Sequence, residues 1–196
     1  YIEEEKVMKK IILAAMVASL ATSAAFASTV PVTKVQNGST TVSADYAFQQ
    51  RVSHNGTNND GFGVGINTAV SDKTALQYSY GKVNAKHGDI KDHRAGVTYA
   101  LNNNVNAYAE GTYIKAGSHE VGAQVGLIGH TQLTNKVEGF AKAGFGDDVK
   151  QSYQLGAKYA LTPDVNVNAY YGYDKYSVDS QDTTVKGLHA GVGYTF

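Results

Sequence analysis

The 196-residue chain has no cysteine, no tryptophan and only two prolines, and 17 basic side chains balance 17 acidic ones. Without cysteine there is no disulfide framework, thiolate metal centre, cysteine nucleophile or lipid-anchored N-terminal cysteine. Without a basic excess there is no electrostatic footprint for a phosphodiester backbone, so no nucleic-acid partner is expected. No apolar run reaches the ~20 residues of a membrane-spanning helix. A nucleophile elbow, a phosphate-binding loop and an HExxH pattern are also missing, which removes the short motifs that announce common hydrolases and nucleotide enzymes.

What is abundant is glycine, with 21 residues, and tyrosine, with 14. The N-terminal part reads as an address. Lys9 and Lys10 precede an apolar stretch from Ile11 to Leu20, and small residues follow up to Ala25-Phe26-Ala27. A basic start, a short apolar run and an A-x-A-like end are the pattern of a cleavable secretory signal. Residues 1–27 are therefore expected to be a signal peptide, with Met8 a candidate initiator and 1–7 an over-extended start. Residues 28–40, rich in Ser, Thr and Val, read as a flexible lead-in.

From 41 to 196 the sequence has a period of two. Val42, Ala44, Tyr46 and Phe48 alternate with Ser43, Asp45, Ala47 and Gln49, and Leu76, Tyr78 and Tyr80 alternate with Gln77, Ser79 and Gly81. Successive strand side chains point to opposite faces, so each segment carries one apolar and one small or polar face. The rhythm recurs often enough for about ten antiparallel strands (eight possible) and no helix. Tight turns are expected at 71–73, 102–104, 134–135 and 162–164, where turn-forming residues cluster. Longer connections are expected at 52–60, 83–90, 116–118, 146–150 and 177–183, alternating with the tight turns as an up-and-down meander requires.

Segments of 10–12 residues, at ~3.3 Å rise and ~40° tilt, match the ~25 Å apolar band of a transmembrane barrel. Tyrosines on the apolar parity cluster near segment ends: Tyr46, Tyr80, Tyr113, Tyr153 and Tyr173 towards the longer connections, Tyr99, Tyr159 and Tyr194 towards the tight turns. Two aromatic girdles at membrane interfaces have that layout. The opposite parity carries Asp45, Arg94, Glu110, Glu138, Lys142 and Lys158, which lipid cannot solvate and which must therefore line a lumen. Hairpin geometry puts Arg94 beside or diagonal to Glu110, and Glu138 near Lys158 with Lys142 on the same face. These charges either neutralise one another and fill the barrel or form a constriction in a narrow pore.

The chain ends Gly191-Val192-Gly193-Tyr194-Thr195-Phe196, with Leu188, Ala190, Val192, Tyr194 and Phe196 on one parity. This ending resembles the last strand of OmpX/Ail-type outer-membrane barrels and of small porin-like proteins. The resemblance implies an all-β, up-and-down transmembrane barrel of the Gram-negative outer membrane, exported through the Sec pathway. It also implies that Tyr194 and Phe196 serve as the signal read by the barrel-assembly machinery, and that outer-membrane lipid surrounds the wall. OmpX-type barrels have eight strands, so the ten counted here weaken any transfer of adhesin function.

Two functions follow as expectations: a narrow porin-like channel for ions or small polar solutes, or a structural or surface-interaction barrel without transport. Loop-face catalysis is the third class considered, because His87, Asp89, Asp92 and His93 lie close together, with His54 and His119 on neighbouring connections. Imidazole and carboxylate can activate water or hold zinc only if they converge in space. No catalytic residue, metal or cofactor is expected.

Overall fold

The computed structural model describes residues 30–53, 56–85, 88–178 and 181–196, so the expected signal peptide, His54 and His87 lie outside the described residues. Ten strands follow one another: β1 (Thr40–Val52), β2 (Gly56–Ala69), β3 (Thr74–Val83), β4 (Ile90–Ala100), β5 (Val105–Ala116), β6 (Ser118–Gln132), β7 (Val137–Gly146), β8 (Val149–Ala160), β9 (Val165–Val178) and β10 (Gln181–Thr195). Each pairs antiparallel with its neighbours in sequence, and β1 pairs with β10, closing the barrel. Among the described residues there is no helix. Closure removes the two sheet edges that an open meander would leave unpaired.

The seam is well formed. Ala44 faces Val192 and Val42 faces Tyr194, and beyond the last strand residue Thr40 and Phe196 exchange backbone hydrogen bonds of 2.9 Å in both directions. A bulge interrupts β1 between Phe48 and Arg51, where Gln49 adopts φ 48°. The extra residue turns Gln50 inward, and its amide donates to the carbonyls of Phe48 and Leu188, replacing ladder bonds lost at the bulge.

The four tight turns share one construction. Val70, Leu101, Leu133 and Leu161 open them, each followed by Ser71, Asn102, Thr134 or Thr162. The oxygen of that second side chain accepts the backbone N–H groups two and three residues on, at 2.9–3.3 Å. Such local side-chain bonds hold the chain in a turn where a strand would otherwise continue. The opening apolar residues are all more than half exposed, and they form the lowest ring of an outer apolar wall. Higher on the wall are Val121 at 73% exposure and Leu155 at 69%. Exposed apolar side chains stand on all ten strands of this outer surface, whereas a water-facing monomer carries isolated patches of a few hundred Å². From Val105, beside the lowest ring, to Tyr113 is eight residues, or roughly 20 Å of height at ~40° tilt, close to the band of a transmembrane barrel.

The other end differs from the sequence expectation. Four of the five stretches read as longer connections are mostly strand: β2 begins at Gly56, β6 follows β5 after Gly117 alone, β7 and β8 are separated by Asp147 and Asp148, and β9 runs to Val178 with β10 from Gln181, whereas 83–90 is strand only at its two ends. Gly117 has φ 83°, which suits the one-residue reversal. Hydrogen bonding continues there after apolar alternation stops, because the outer face has left the apolar band and no longer needs apolar side chains.

A second difference concerns residues 30–36, expected as a loose lead-in. The segment runs inside the tight-turn end of the barrel. Val32 is buried with Ala69 and Ala75, and Val35 packs against them.

Candidate functional site in the barrel lumen

Inward-facing side chains form three layers. The upper one, at the long-connection end, is apolar: Val52, Val83, Ile90, Ile114, Val149, Tyr176 and Val185 pack together, with Ala85 and Ala116 against them. All sit near the upper ends of their strands on the inward parity, so they meet over the axis.

Below this seal lies an ion-pair network centred on Arg94, only 3% exposed. Its guanidinium donates to Asp92 from Nε at 2.8 Å and from Nη2 at 2.5 Å, and reaches Asp174 at 3.2 Å. It also donates to the hydroxyl of Tyr176 at 3.3 Å, and that hydroxyl in turn donates to Asp92 at 3.2 Å. Glu110 is 3.7 Å from Nη1, accepts from Lys142 at 3.3 Å and from Gln77 at 2.9 Å. Lys142 lies over the Tyr108 ring, 4.3 Å from its centroid. That ring rests on Gly126 and Gly144, where a Cβ would collide with it. The network thus opposes two cations to three carboxylates and spans the lumen from β4 to β9. Beside it, Asp45 accepts from Tyr170 at 2.9 Å and lies 3.3 Å from His189 Nδ1, whose ring stacks on Tyr170 at 4.5 Å.

The lowest layer binds the N-terminal segment. Lys158 and Glu138 are direct cross-strand neighbours, 3.9 Å apart, and both hold Thr33. Its hydroxyl donates to Glu138 at 2.5 Å and accepts from Lys158 at 2.8 Å. Lys158 also donates to the Pro31 carbonyl at 3.0 Å. Asn106 donates to the carbonyls of Val32 and Thr33 at 2.9 and 3.0 Å. Lys34 reaches Glu138 at 3.2 Å. A polar vestibule of about 190 Å³ remains at this mouth, lined in part by Gln132, Lys136 and Asn166. A cavity of only about 30 Å³ lies further in, against Arg94, Glu110 and Lys142.

The six charges expected in the lumen all point inward. Arg94 lies diagonal to Glu110, since Glu110 faces Gly96 in the register. Asp174, Asp92, Tyr108, Tyr170, Tyr176 and His189 join them without having been expected there. For the tyrosines the only sequence signal was their parity, opposite to that of Tyr46 and Tyr113. The expected girdle residues Tyr46, Tyr80, Tyr99, Tyr113, Tyr153, Tyr159 and Tyr173 point outward. Tyr80, His93 and Tyr113 sit opposite one another across β3, β4 and β5, with ring centroids 4.7 and 5.7 Å apart, and His119 stacks on Tyr113 at 6.1 Å. On the far side Phe145, Tyr153 and Tyr173 make a similar row at 5.9 Å spacings. Tyr194 and Phe196 stack on the outer face of the seam at 5.9 Å.

Of the loop residues considered for catalysis, those described do not converge. Asp92 points into the lumen and its neighbour His93 out of it, where it meets the Tyr78 hydroxyl at 2.9 Å. Asp89 is bound to Lys82 at 2.7 Å on the outer rim. Among the described residues no group of three or more His, Asp or Glu side chains is placed to hold a metal ion. In the β7–β8 turn, burial pushes the Asp148 carboxyl above its ordinary range, opposed by the Thr112 hydroxyl that donates to it at 3.1 Å.

No family model matches the chain, and no curated protein matches it. Solved structures do. The attachment invasion locus protein Ail of Yersinia pestis is 18% identical with a TM-score of 0.42, over 82% of this chain and all of that one. Neisserial surface protein A is 16% identical with a TM-score of 0.47, again over 82% and 100%. The translocator domain of the autotransporter NalP from Neisseria meningitidis is 15% identical with a TM-score of 0.45, over 98% and 96%. At these identities the likeness is one of fold, and the strand count and closure stand on this chain's own pairing. The chain is a closed, ten-stranded, up-and-down antiparallel β-barrel.

Proposed function

We propose that the protein is a non-enzymatic barrel of the bacterial outer membrane whose lumen is shut, and that it works through its wall and rims as a structural or surface-interaction barrel. The upper seal carries this reading. Seven apolar side chains meet over the axis, and wetting them at ~1.5–3 kcal/mol each costs on the order of 10 kcal/mol or more. An apolar constriction of this kind excludes ions by staying dry. Ten strands also lie near the size at which side chains fill the interior, well below the 16–18 strands of aqueous porins. The ion-pair network and the inserted segment support the reading from below. Tyr194 and Phe196 fit the role of assembly signal that the resemblance implies.

A gated channel for ions or small polar solutes is the second reading. It is favoured by the polar vestibule and by the few side chains, chiefly Lys158, Glu138 and Asn106, that hold residues 30–36. Planar-bilayer recording separates the two. In the closed reading the full chain and a variant lacking residues 30–36 are both silent. In the channel reading the deletion alone opens a conductance, and E138Q or K158Q changes that of the full chain. Steady conductance from the unmodified protein would overturn the closed-lumen proposal.

A further inference from the structure

The vestibule at the tight-turn mouth lies between the inserted segment and a wall of amides, hydroxyls and glycines. β9 turns Asn166 and Asn168 inward, β10 sets Gly193 and Gly191 opposite them, and β8 sets Lys158 opposite Asn168. A Cβ at Gly193 would come within 2.7 Å of the Asn166 amide, so the glycine keeps the room in which that side chain lies. Ser43 and Thr195 continue this wall, and Pro31 and Thr33 of the inserted segment face it. Asn168 is only 6% exposed, yet neither its amide nitrogen nor its amide oxygen has a hydrogen-bond partner among the described residues. Buried side-chain amides are nearly always paired, because an unpaired donor or acceptor keeps its desolvation penalty. The cavity it lines, about 190 Å³, is several times the ~30 Å³ share of one water. Room and unmet hydrogen-bonding capacity therefore coincide.

We propose that this vestibule binds an uncharged, extended segment of a second polypeptide, and that Asn168 pairs with one of its peptide groups. The inference rests on the surface-interaction reading above and gives the tight-turn rim a partner; in barrels of this architecture the short turns face the periplasm. The chemistry of the amide supports it. A primary amide offers an acceptor and a donor side by side, the complement of a peptide N–H and C=O. The same mouth already holds a polypeptide through its main chain: Asn106 donates to the carbonyls of Val32 and Thr33, and Lys158 to that of Pro31. Charge supports it as well. Lys158 and Glu138 are engaged with each other and with Thr33, and the remaining rim charges, Lys136 and Asp164, are exposed and of opposite sign. The inner wall therefore has nothing to select a charged ligand. No aromatic ring lines the cavity, so the face of a sugar has nothing to stack against.

Titration of the isotope-labelled barrel in nanodiscs with the blocked dipeptide acetyl-dialanine amide, followed by NMR, tests the proposal. The backbone signals of Gly191 and Gly193 report on the site. The peptide should shift them saturably, and N168L should bind about tenfold more weakly, the loss expected for two hydrogen bonds of ordinary strength. K115Q, altered at the opposite end, should match the unmodified chain. The same dipeptide with its amide nitrogens methylated should also bind about tenfold more weakly. That comparison uses the unmodified chain and so does not depend on whether N168L folds. Absence of a saturable shift at millimolar peptide, equal binding of the methylated peptide, or equal binding by a folded N168L would overturn the proposal. So would tighter binding of N-acetylglucosamine, which would identify a sugar site instead. Planar-bilayer recording is made on the same preparation. A silent barrel that ignores the peptide fails this inference alone, whereas steady conductance overturns the closed-lumen reading whatever the peptide does.

Discussion

Replacing Arg94 with methionine asks how dry the lumen is. Methionine keeps an unbranched side chain of similar reach and removes the charge and every donor. Asp174 then loses its guanidinium partner, and Asp92 keeps only the hydroxyl of Tyr176. Glu110 retains Lys142 and Gln77. Two carboxylates are thereby left buried without a cation. Breaking a buried ion pair from one side costs about 3–5 kcal/mol, because the remaining charge keeps its desolvation penalty. In a water-filled pore the same substitution would cost about 0–1 kcal/mol, the value of a solvated pair. Urea titration of the vesicle-inserted barrel, followed on unheated gels and by tyrosine fluorescence, separates these outcomes. With a slope of about 2 kcal/mol per molar, R94M should lower the midpoint by about 1.5–2.5 M. Adding D92N and D174N should recover most of the loss, since neutral amides no longer need the guanidinium. A shift below about 0.5 M for R94M, or no recovery in the triple variant, would refute the argument that this network is sealed from water.

Two further outcomes follow from close contacts. G144V drives a side chain into the Tyr108 hydroxyl, displacing the ring that supports Lys142. The expected cost is about 1–3 kcal/mol by the same titration, and it should largely vanish in the Y108A background, where the space is free. Deleting Phe196 removes the two backbone bonds with Thr40 at the seam, worth about 1 kcal/mol each, and should destabilise the barrel by about 2 kcal/mol while slowing appearance of the fast-migrating band in vesicles. If folding rate and midpoint both match the full chain, the seam does not depend on that residue pair.

Period-two patterning was sufficient to read strand number, parity and the tight turns, because an apolar outer wall and a polar lumen impose opposite demands on alternate residues. The pattern failed where one of those demands lapses. At the long-connection end the pattern of apolar outer residues stops, so 57–60 carry no alternation although β2 runs through them. Bonding and patterning are separate properties, and only patterning is visible in a sequence.

The site was legible as far as hairpin register reaches, and no further. Glu138 beside Lys158, and Arg94 diagonal to Glu110, follow from counting across a turn. Arg94 meeting Asp174 and Tyr176 does not, because the partners lie on β4 and β9 and approach only when the sheet closes. Val30 to Gln36 gave no signal at all. The segment has no alternation to place it, and much of what holds it is backbone: Lys158 and Asn106 bind the carbonyls of Pro31, Val32 and Thr33, beside the side-chain contacts of Thr33 and Lys34 with Glu138. Carbonyl acceptors are present in every residue, so a contact made through them leaves no mark on composition. Charged side chains at opposed positions of adjacent hairpins are legible: register alone brings Lys82, Lys91 and Lys115 together on the outer face of β3, β4 and β5. Their juxtaposition needs no closure, and therefore belongs to the part of this molecule that its sequence specifies locally.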